Sequence, residues 1–138
     1  MMNIGKPLVV LAYVAVLLVL GACGKEPPTE SVVLNALKVA GVEYGNVRHP
    51  ARDPDSPLPN SYKEHFSVTL PSIAPKGGQF FICEKKEYCD AIYSYFNLLQ
   101  GLAGPYLYQS KDGLVIAQMN SGLAVADAEK IRGVINGL

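Results

Sequence analysis

Apolar and polar positions are distributed differently in the first two dozen residues and in the rest of the chain. Residues 7–20 are almost uninterrupted apolar positions, and the sequence becomes polar and proline-rich at residues 24–28. A run of about 14 apolar residues is shorter than the ~20 that a membrane-spanning helix needs. Together with the positive charge of Lys6 before it, the run is typical of a secretory signal peptide.

Three later segments carry apolar residues at helical spacing. A first helix is predicted from Thr29 or Ser31 to about Ala40, where Gly41 can end it. A second is predicted for residues 90–103, capped by Asp90, with an apolar stripe of Ile92, Tyr95, Phe96, Leu99, Leu102 and Ala103 facing the core. A third is predicted for residues 125–136. In each case, one apolar face implies packing against a partner layer.

The segments between these helices carry strand signals. Residues 65–70 alternate between apolar and polar positions, and residues 79–83 predict a second strand antiparallel to them. Residues 106–109 and 114–120 predict a hairpin about the turn at 110–113. Four prolines interrupt residues 42–63, which predicts an irregular loop whose residues 50–60 contribute little to the sheet or core. The predicted fold is α+β, a small antiparallel sheet of about four strands with about three helices packed on it.

The junction between the apolar run and the polar segment carries a recognisable motif. Leu20, Gly21, Ala22 and Cys23 resemble the lipobox of bacterial lipoproteins. The resemblance implies cleavage before Cys23, a diacylglyceryl group on its sulfur and often a third acyl chain on its amino group. Residues 1–22 are then the signal peptide, 23–29 a lipidated tether and 30–138 a single domain. The alternatives are an uncleaved membrane anchor, or a secreted protein in which Cys23 is incidental.

The lipobox resemblance also implies a location. The protein would be exported and lipid-anchored to the bacterial membrane, and Gly24 after the cysteine favours the periplasmic face of the outer membrane in a diderm organism. A second resemblance concerns residues 104–108, 117–120 and the closing helix, which are similar to the ends of small bacterial lipoproteins of uncharacterised function. It implies an envelope domain with a hairpin packed on two helices, and no activity can be carried over from these proteins.

Charge and cysteine content narrow the function classes. The chain has twelve basic and twelve acidic side chains, and removal of Lys6 with the signal leaves eleven basic ones. This balance offers no basic face for nucleic acid. With Cys23 lipidated, Cys83 and Cys89 remain as a pair in an oxidising compartment, which favours a structural disulfide. A redox dithiol and a metal site are the alternatives.

No catalytic motif stands out in the sequence, so we expect a binding or accessory module for another envelope component rather than an enzyme. No cofactor and no metal are expected. The candidate partner-binding residues are His49 and Arg52 in the proline-rich loop and Tyr106 and Tyr108 in the hairpin. One alternative is a carrier with an apolar cavity between the sheet and residues 92–102. The other is a hydrolase using His49 or His65 with Asp53, Asp55 or Glu64.

Overall fold

A computed structural model describes residues 25–138, the side chain of Ala103 excepted. Within them the helices are α1 (Glu30–Val39), α2 (Lys86–Leu98), α3 (Gln100–Ala103) and α4 (Val125–Asn136), with a single 3-10 turn at Pro71–Ile73. The strands are β1 (Gly45–Arg48), β2 (Glu64–Thr69), β3 (Gly77–Ile82), β4 (Leu107–Gln109) and β5 (Val115–Met119).

The five strands form one open antiparallel sheet in the order β1-β2-β3-β5-β4. The α+β fold class is therefore confirmed, as is the antiparallel pairing of β2 with β3. The predicted hairpin is also confirmed as β4 and β5. Strand β1, at the sheet edge, lies in the segment that was expected to be irregular, and it adds the fifth strand.

Helices α1 and α4 cover the first face of the sheet. Phe66 of β2 and Phe80 of β3 stack in the middle of this layer, with ring centroids 5.1 Å apart. The fully or nearly fully buried side chains around them include Val33, Leu37, Ile82, Val115, Met119, Ala128, Ile131 and Ile135. The predicted inward face of the closing helix is thus confirmed, and this cluster is the larger of the two cores.

Helix α2 packs alone on the second face, against β4 and β5. Phe81 of β3 is the centre of this smaller core, with Tyr62 at 5.4 Å and Phe96 at 5.7 Å between ring centroids. Ile92, Leu107, Ile116 and both cysteines of the 83/89 pair complete it. One sheet therefore carries a core on each face.

The helix boundaries agree with the sequence at α1 and differ at α2. The Thr29 hydroxyl accepts a hydrogen bond from the Val32 N–H, and Gly41 takes the positive φ of 80° that ends the helix. The expected cap at Asp90 is wrong, because α2 already begins at Lys86. Asp90 lies one turn inside the helix, where its carboxylate accepts from the Lys86 ammonium at 2.8 Å.

The apolar stripe of the second helix is only partly buried. Ile92 and Phe96 are in the core, but Leu102 is 89% exposed, so its expected core position is wrong. The helix is interrupted at Leu99, and α3 restarts it as a single turn that ends at Gly104, with φ of 87°. The interruption rotates the last turn away from the sheet.

The two ends of the sheet have different neighbours. The Lys25 ammonium donates to the Leu138 carbonyl at 2.7 Å and lies 3.5 Å from the Asp112 carboxylate in the β4–β5 turn. We call this the tether end. Because Ile82 pairs with Val115 next to that turn, Gly77 and Asn120 lie at the opposite, distal end.

Candidate binding groove

A groove with a cavity volume of about 430 Å³ lies on the second face of the sheet, towards its distal end. We call it the polar groove. Its polar lining consists of Asn46, Arg48, Ser67, Thr69, Lys76, Gln79, Gln118 and Asn120. The groove falls within the range of volumes found for small-ligand sites.

The groove exists because one helix cannot cover five strands. Strands lie about 4.8 Å apart, so five of them span about 19 Å, whereas a helix with its side chains is about 10–12 Å wide. Two helices, α1 and α4, cover the first face, but α2 covers only the β4–β5 side of the second. The half-buried positions that α2 leaves open on β2 and β3 are polar, namely Ser67, Thr69 and Gln79, and the buried Gln118 of β5 lies beside them.

A β-bulge in β1 turns Arg48 towards the groove. Gly45 pairs with Thr69, and Arg48 pairs with Ser67. The chain advances three residues on β1 but only two on β2 between these pairs, so β1 contains one extra residue. Asn46 absorbs the bulge with φ of 48°, a left-handed conformation that Asn tolerates better than most residues. Val47 packs against the first core, and Arg48 stands opposite Ser67.

The Arg48 side chain has no protein partner in the described part of the chain. It forms neither a hydrogen bond nor an ion pair with residues 25–138. The residues lining the groove include a second cation, Lys76, and no aspartate or glutamate. The local charge is therefore positive, although the protein as a whole is neutral.

A chain of hydrogen bonds fixes the floor of the groove. His65 Nε2 bonds to Gln79 Oε1 at 2.8 Å, and Gln79 Nε2 donates to Gln118 Oε1 at 2.9 Å. The His65 ring also stacks on Phe81, with centroids 4.1 Å apart. Burial lowers the pKa of His65, and the bond to Gln79 opposes this only in part. A neutral imidazole thus donates to Gln79 and holds its amide plane in place.

Arg52, predicted as a partner-binding residue, makes several contacts within the fold. Its guanidinium donates to the Asn60 and Tyr62 carbonyls and lies 3.5 Å from the Lys63 carbonyl. It also lies over the Tyr62 ring, 4.3 Å from the centroid. Residues 50–60 contribute no strand to the sheet, as expected, and their contribution to the second core is the partly buried Leu58.

His49 has a partner in α1 instead of an open position. Its Nε2 lies 2.7 Å from the Glu30 carboxylate, at the tether end of the domain. The side chain remains largely exposed, at 63%. His49 and Arg52 therefore lie outside the polar groove, and the structure does not bring them together with the hairpin tyrosines into one site.

Tyr106 and Tyr108 are not the exposed pair that a binding role suggests. Both are half-buried and pack against the first core, on the side of α4. Burial raises the pKa of Tyr108, and the Glu129 carboxylate raises it further. Their main contacts are those of core residues, which was the competing interpretation of the hairpin.

Of the residues named for a hydrolase, His49 and Glu64 both contact Glu30, His49 through the Glu30 carboxylate and Glu64 through the Glu30 N–H. Glu64 accepts a hydrogen bond from the Glu30 N–H at 3.1 Å, and Asp53 accepts one from the Asp55 N–H at 2.9 Å. The space between the sheet and α2, where an apolar ligand was considered, is occupied by the buried side chains of Ile92 and Phe96.

The cysteine pair is placed as the sequence predicts. The Cys83 and Cys89 sulfurs lie at disulfide distance, 2.11 Å, and link the end of β3 to the first turn of α2. In residues 25–138, no three His, Cys, Asp or Glu side chains gather into a group that could hold a metal. No helix there is long and apolar enough to cross a bilayer. Cys23, the predicted lipidation site, lies outside the described residues.

Sequence analysis missed the groove, although part of its signal is visible there. The alternation of residues 65–70 identifies Ser67 and Thr69 as outward-facing, and Gln79 and Gln118 are polar positions within strands. Nothing in the sequence indicates that these four positions are adjacent, since that depends on the strand order. The bulge that presents Arg48 carries no sequence signal that we could use.

Comparison with known proteins identified no similar protein. No protein-family model matches the chain, and neither the curated proteins nor the solved structures give a significant match.

Proposed function

We propose that this chain is a lipid-anchored protein of the bacterial cell envelope whose domain is a binding module, and that the polar groove is its binding surface. The anchor rests on the lipobox-like sequence Leu20–Cys23. The oxidised pair Cys83–Cys89 fits an exported protein, because disulfides persist in oxidising compartments.

The single observation that supports a binding role best is Arg48, whose side chain has no partner among the described residues. A cation that is turned towards a groove by a bulge, with no acidic side chain in the lining, is available for an external anion. Structural arginines usually have partners within the fold, and Arg52 is the example in this chain. We therefore assign binding to Arg48 and a structural role to Arg52.

The tether gives the groove a direction. Only Gly24 lies between Cys23 and Lys25, and two extended Cα–Cα steps reach about 7 Å. Lys25 contacts Leu138 and Asp112 at the tether end, so a lipid on Cys23 would hold this end against the membrane. The Gly77 and Asn120 side of the polar groove would then lie at the end of the domain farther from the membrane surface.

Replacement of Cys23 tests the anchor. The Cys23→Ser variant should accumulate as an unprocessed precursor without acyl groups, because the thiol is the lipid acceptor. The double variant Cys83→Ser/Cys89→Ser is the matched control and should remain acylated. Mass spectrometry of the membrane fraction measures both. A mature, acylated Cys23→Ser protein would contradict the lipoprotein assignment.

Charge reversal at Arg48 tests the binding surface. Full-length lipidated protein is extracted from membranes in detergent and purified, and the envelope material that remains bound is quantified. The Arg48→Glu variant should lose this material. The control Arg132→Glu, an exposed residue of α4 that faces Glu129 at 3.5 Å, should keep it. Equal recovery in all three proteins would contradict a binding role for the groove.

A further inference from the structure

We propose that the polar groove binds a carboxylate-bearing saccharide in the aqueous space of the envelope. This inference rests on the proposed function, because it names the ligand class of the same groove. Three properties of the groove support it: the sign of its charge, the chemistry of its uncharged lining and its position relative to the tether.

The charge selects an anionic ligand. Arg48 and Lys76 are the charged side chains of the lining, and both are cations. A guanidinium offers a planar pair of N–H donors that matches the two oxygens of a carboxylate. Because Arg48 has no partner within residues 25–138, binding an anion would not require an existing ion pair to break.

The uncharged lining selects a ligand rich in hydroxyl groups. Ser67 and Thr69 each offer a hydroxyl, and Gln79 offers an amide N–H beyond the one given to Gln118. Hydroxyls and amides both donate and accept, which matches the dual capacity of sugar hydroxyls. The bond from His65 holds the Gln79 amide in a fixed orientation, so little side-chain entropy is lost on binding.

The same lining argues against a peptide. Apolar side chains in the groove are limited to Pro50 and Pro75, since the Val68 side chain belongs to the first core. Peptide side chains would need apolar pockets of their own, and pockets for alternate side chains give strand-like peptides their specificity. A saccharide presents no such side chains.

The location of the groove argues against the lipid headgroups of the anchoring membrane as its ligands. Lys25 holds the start of the domain at the tether end, whereas the groove is lined by Gly77, Asn120 and their neighbours at the distal end. A ligand in the aqueous space can reach this site directly. A phosphate headgroup of the same membrane would have to reach past the tether end to contact Gly77 and Asn120.

Matched sugar pairs test the ligand class on full-length lipidated protein in detergent, by calorimetry. The first pair is cellobiose and cellobiouronic acid, which differ in one carboxylate. The second is a disaccharide of N-acetylglucosamine and its counterpart with one N-acetylmuramic acid, which adds a lactyl carboxylate. Inorganic phosphate, glycerol 3-phosphate and the dipeptide Ala-Ala are the competing ligand classes.

At least one acidic sugar should bind about tenfold or more tightly than its neutral partner, as expected for one charge-assisted contact. Arg48→Gln should remove that difference, and Arg132→Gln should leave it unchanged, with thermal stability the same in both variants. No preference for either acidic sugar, or a preference that Arg48→Gln leaves intact, would overturn the proposal.

Equal or tighter binding of phosphate, glycerol 3-phosphate or Ala-Ala would also overturn it and would assign the groove to that class. The groove as a binding surface would survive any of these results, provided that capture of envelope material still depends on Arg48. Loss of that dependence would remove the proposed function as well.

Discussion

Arg52 should stabilise the domain although it is an exposed residue of a proline-rich loop. Its guanidinium donates to the Asn60 and Tyr62 carbonyls and lies over the Tyr62 ring. A hydrogen bond from a charged group contributes about 1.5–3 kcal/mol and an exposed cation–π contact about 0.5–1 kcal/mol. The hydrogen-bond and cation–π contributions do not add in full, because water can hydrogen-bond to the freed Asn60 and Tyr62 carbonyls when the Arg52 side chain is removed.

We therefore expect Arg52→Ala to lower the free energy of unfolding by about 2 kcal/mol, or the melting temperature by about 8 °C for a domain of this size. Arg48→Ala is the matched control. It removes the same type of side chain at the end of β1, four residues before Arg52, but Arg48 has no partner within residues 25–138, so the change should stay within about 0.5 kcal/mol. Arg52→Lys should recover only part of the loss, because an ammonium cannot reproduce the planar fork.

Urea unfolding followed by tyrosine fluorescence measures all three variants. Equal midpoints for Arg52→Ala and Arg48→Ala would refute the structural role of Arg52. The same reasoning changes the expectation for a deletion of residues 51–58. The sequence suggested that such a deletion would cost little, but it removes both Arg52 and the apolar contact of Leu58 with the second core.

Two further predictions concern the second face of the sheet. Replacing the Cys83–Cys89 pair with alanine should destabilise the domain by about 2–2.5 kcal/mol, the entropic contribution of closing a ring of about seven residues. Alkylation without reductant tests the bridge itself: unlabelled cysteines would support it, and full labelling of both would exclude it. His65 should make stability depend on pH once the pH falls below its ordinary pKa of about 6.5. Because its pKa is lowered from 6.5, the unfolded state takes up the proton first as the pH falls through 6.5, and stability drops until the folded-state pKa is reached. Carboxyl groups with ordinary pKa values remain largely ionised in this range, so His65→Gln should flatten the curve; an unchanged slope in that variant would count against a buried neutral imidazole.

Most of the fold could be predicted because its elements carry strong local patterns. The Thr29 cap, the stop at Gly41 and the inward face of α4 all follow from residue spacing, and all are present. The alternation of residues 65–70 likewise gives β2 and its buried face. These features depend on neighbours in sequence, which is why reading along the chain recovers them.

The errors arose where tertiary contacts decide the structure. Asp90 is a good cap by residue type. However, Cys89, which is linked to Cys83, already lies in the first turn of α2, so the helix begins before Asp90. Leu102 fits the apolar stripe by spacing, but the break at Leu99 turns it into solvent. The periodicity of apolar residues predicts neither the early start of α2 nor the break at Leu99.

The candidate site was less predictable than the fold for the same reason. Aromatic residues and a histidine in a loop were reasonable binding candidates by composition, yet Tyr106 and Tyr108 pack on the core and His49 pairs with Glu30. The groove instead combines ordinary polar residues from strands that are distant in sequence. Ser67 and Gln79 meet through antiparallel pairing, and Gln118 joins them only because β5 follows β3 in the sheet.

The number of helices explains why half of the second face is open, and contact with water explains why that half is polar. Neither explains Arg48. Without the bulge, the regular register from Gly45 opposite Thr69 would place Val47 opposite Ser67 on the groove side and turn Arg48 towards the first core. A bulge costs ladder hydrogen bonds and a positive φ at Asn46. It satisfies the burial of Val47 and the solvation of Arg48 at the same time, so stability alone accounts for its presence.

What stability does not require is an arginine at this position, since any polar side chain would satisfy the exposed register. A cation with no partner in residues 25–138, beside a lining without acids, is the feature on which the proposed binding role rests.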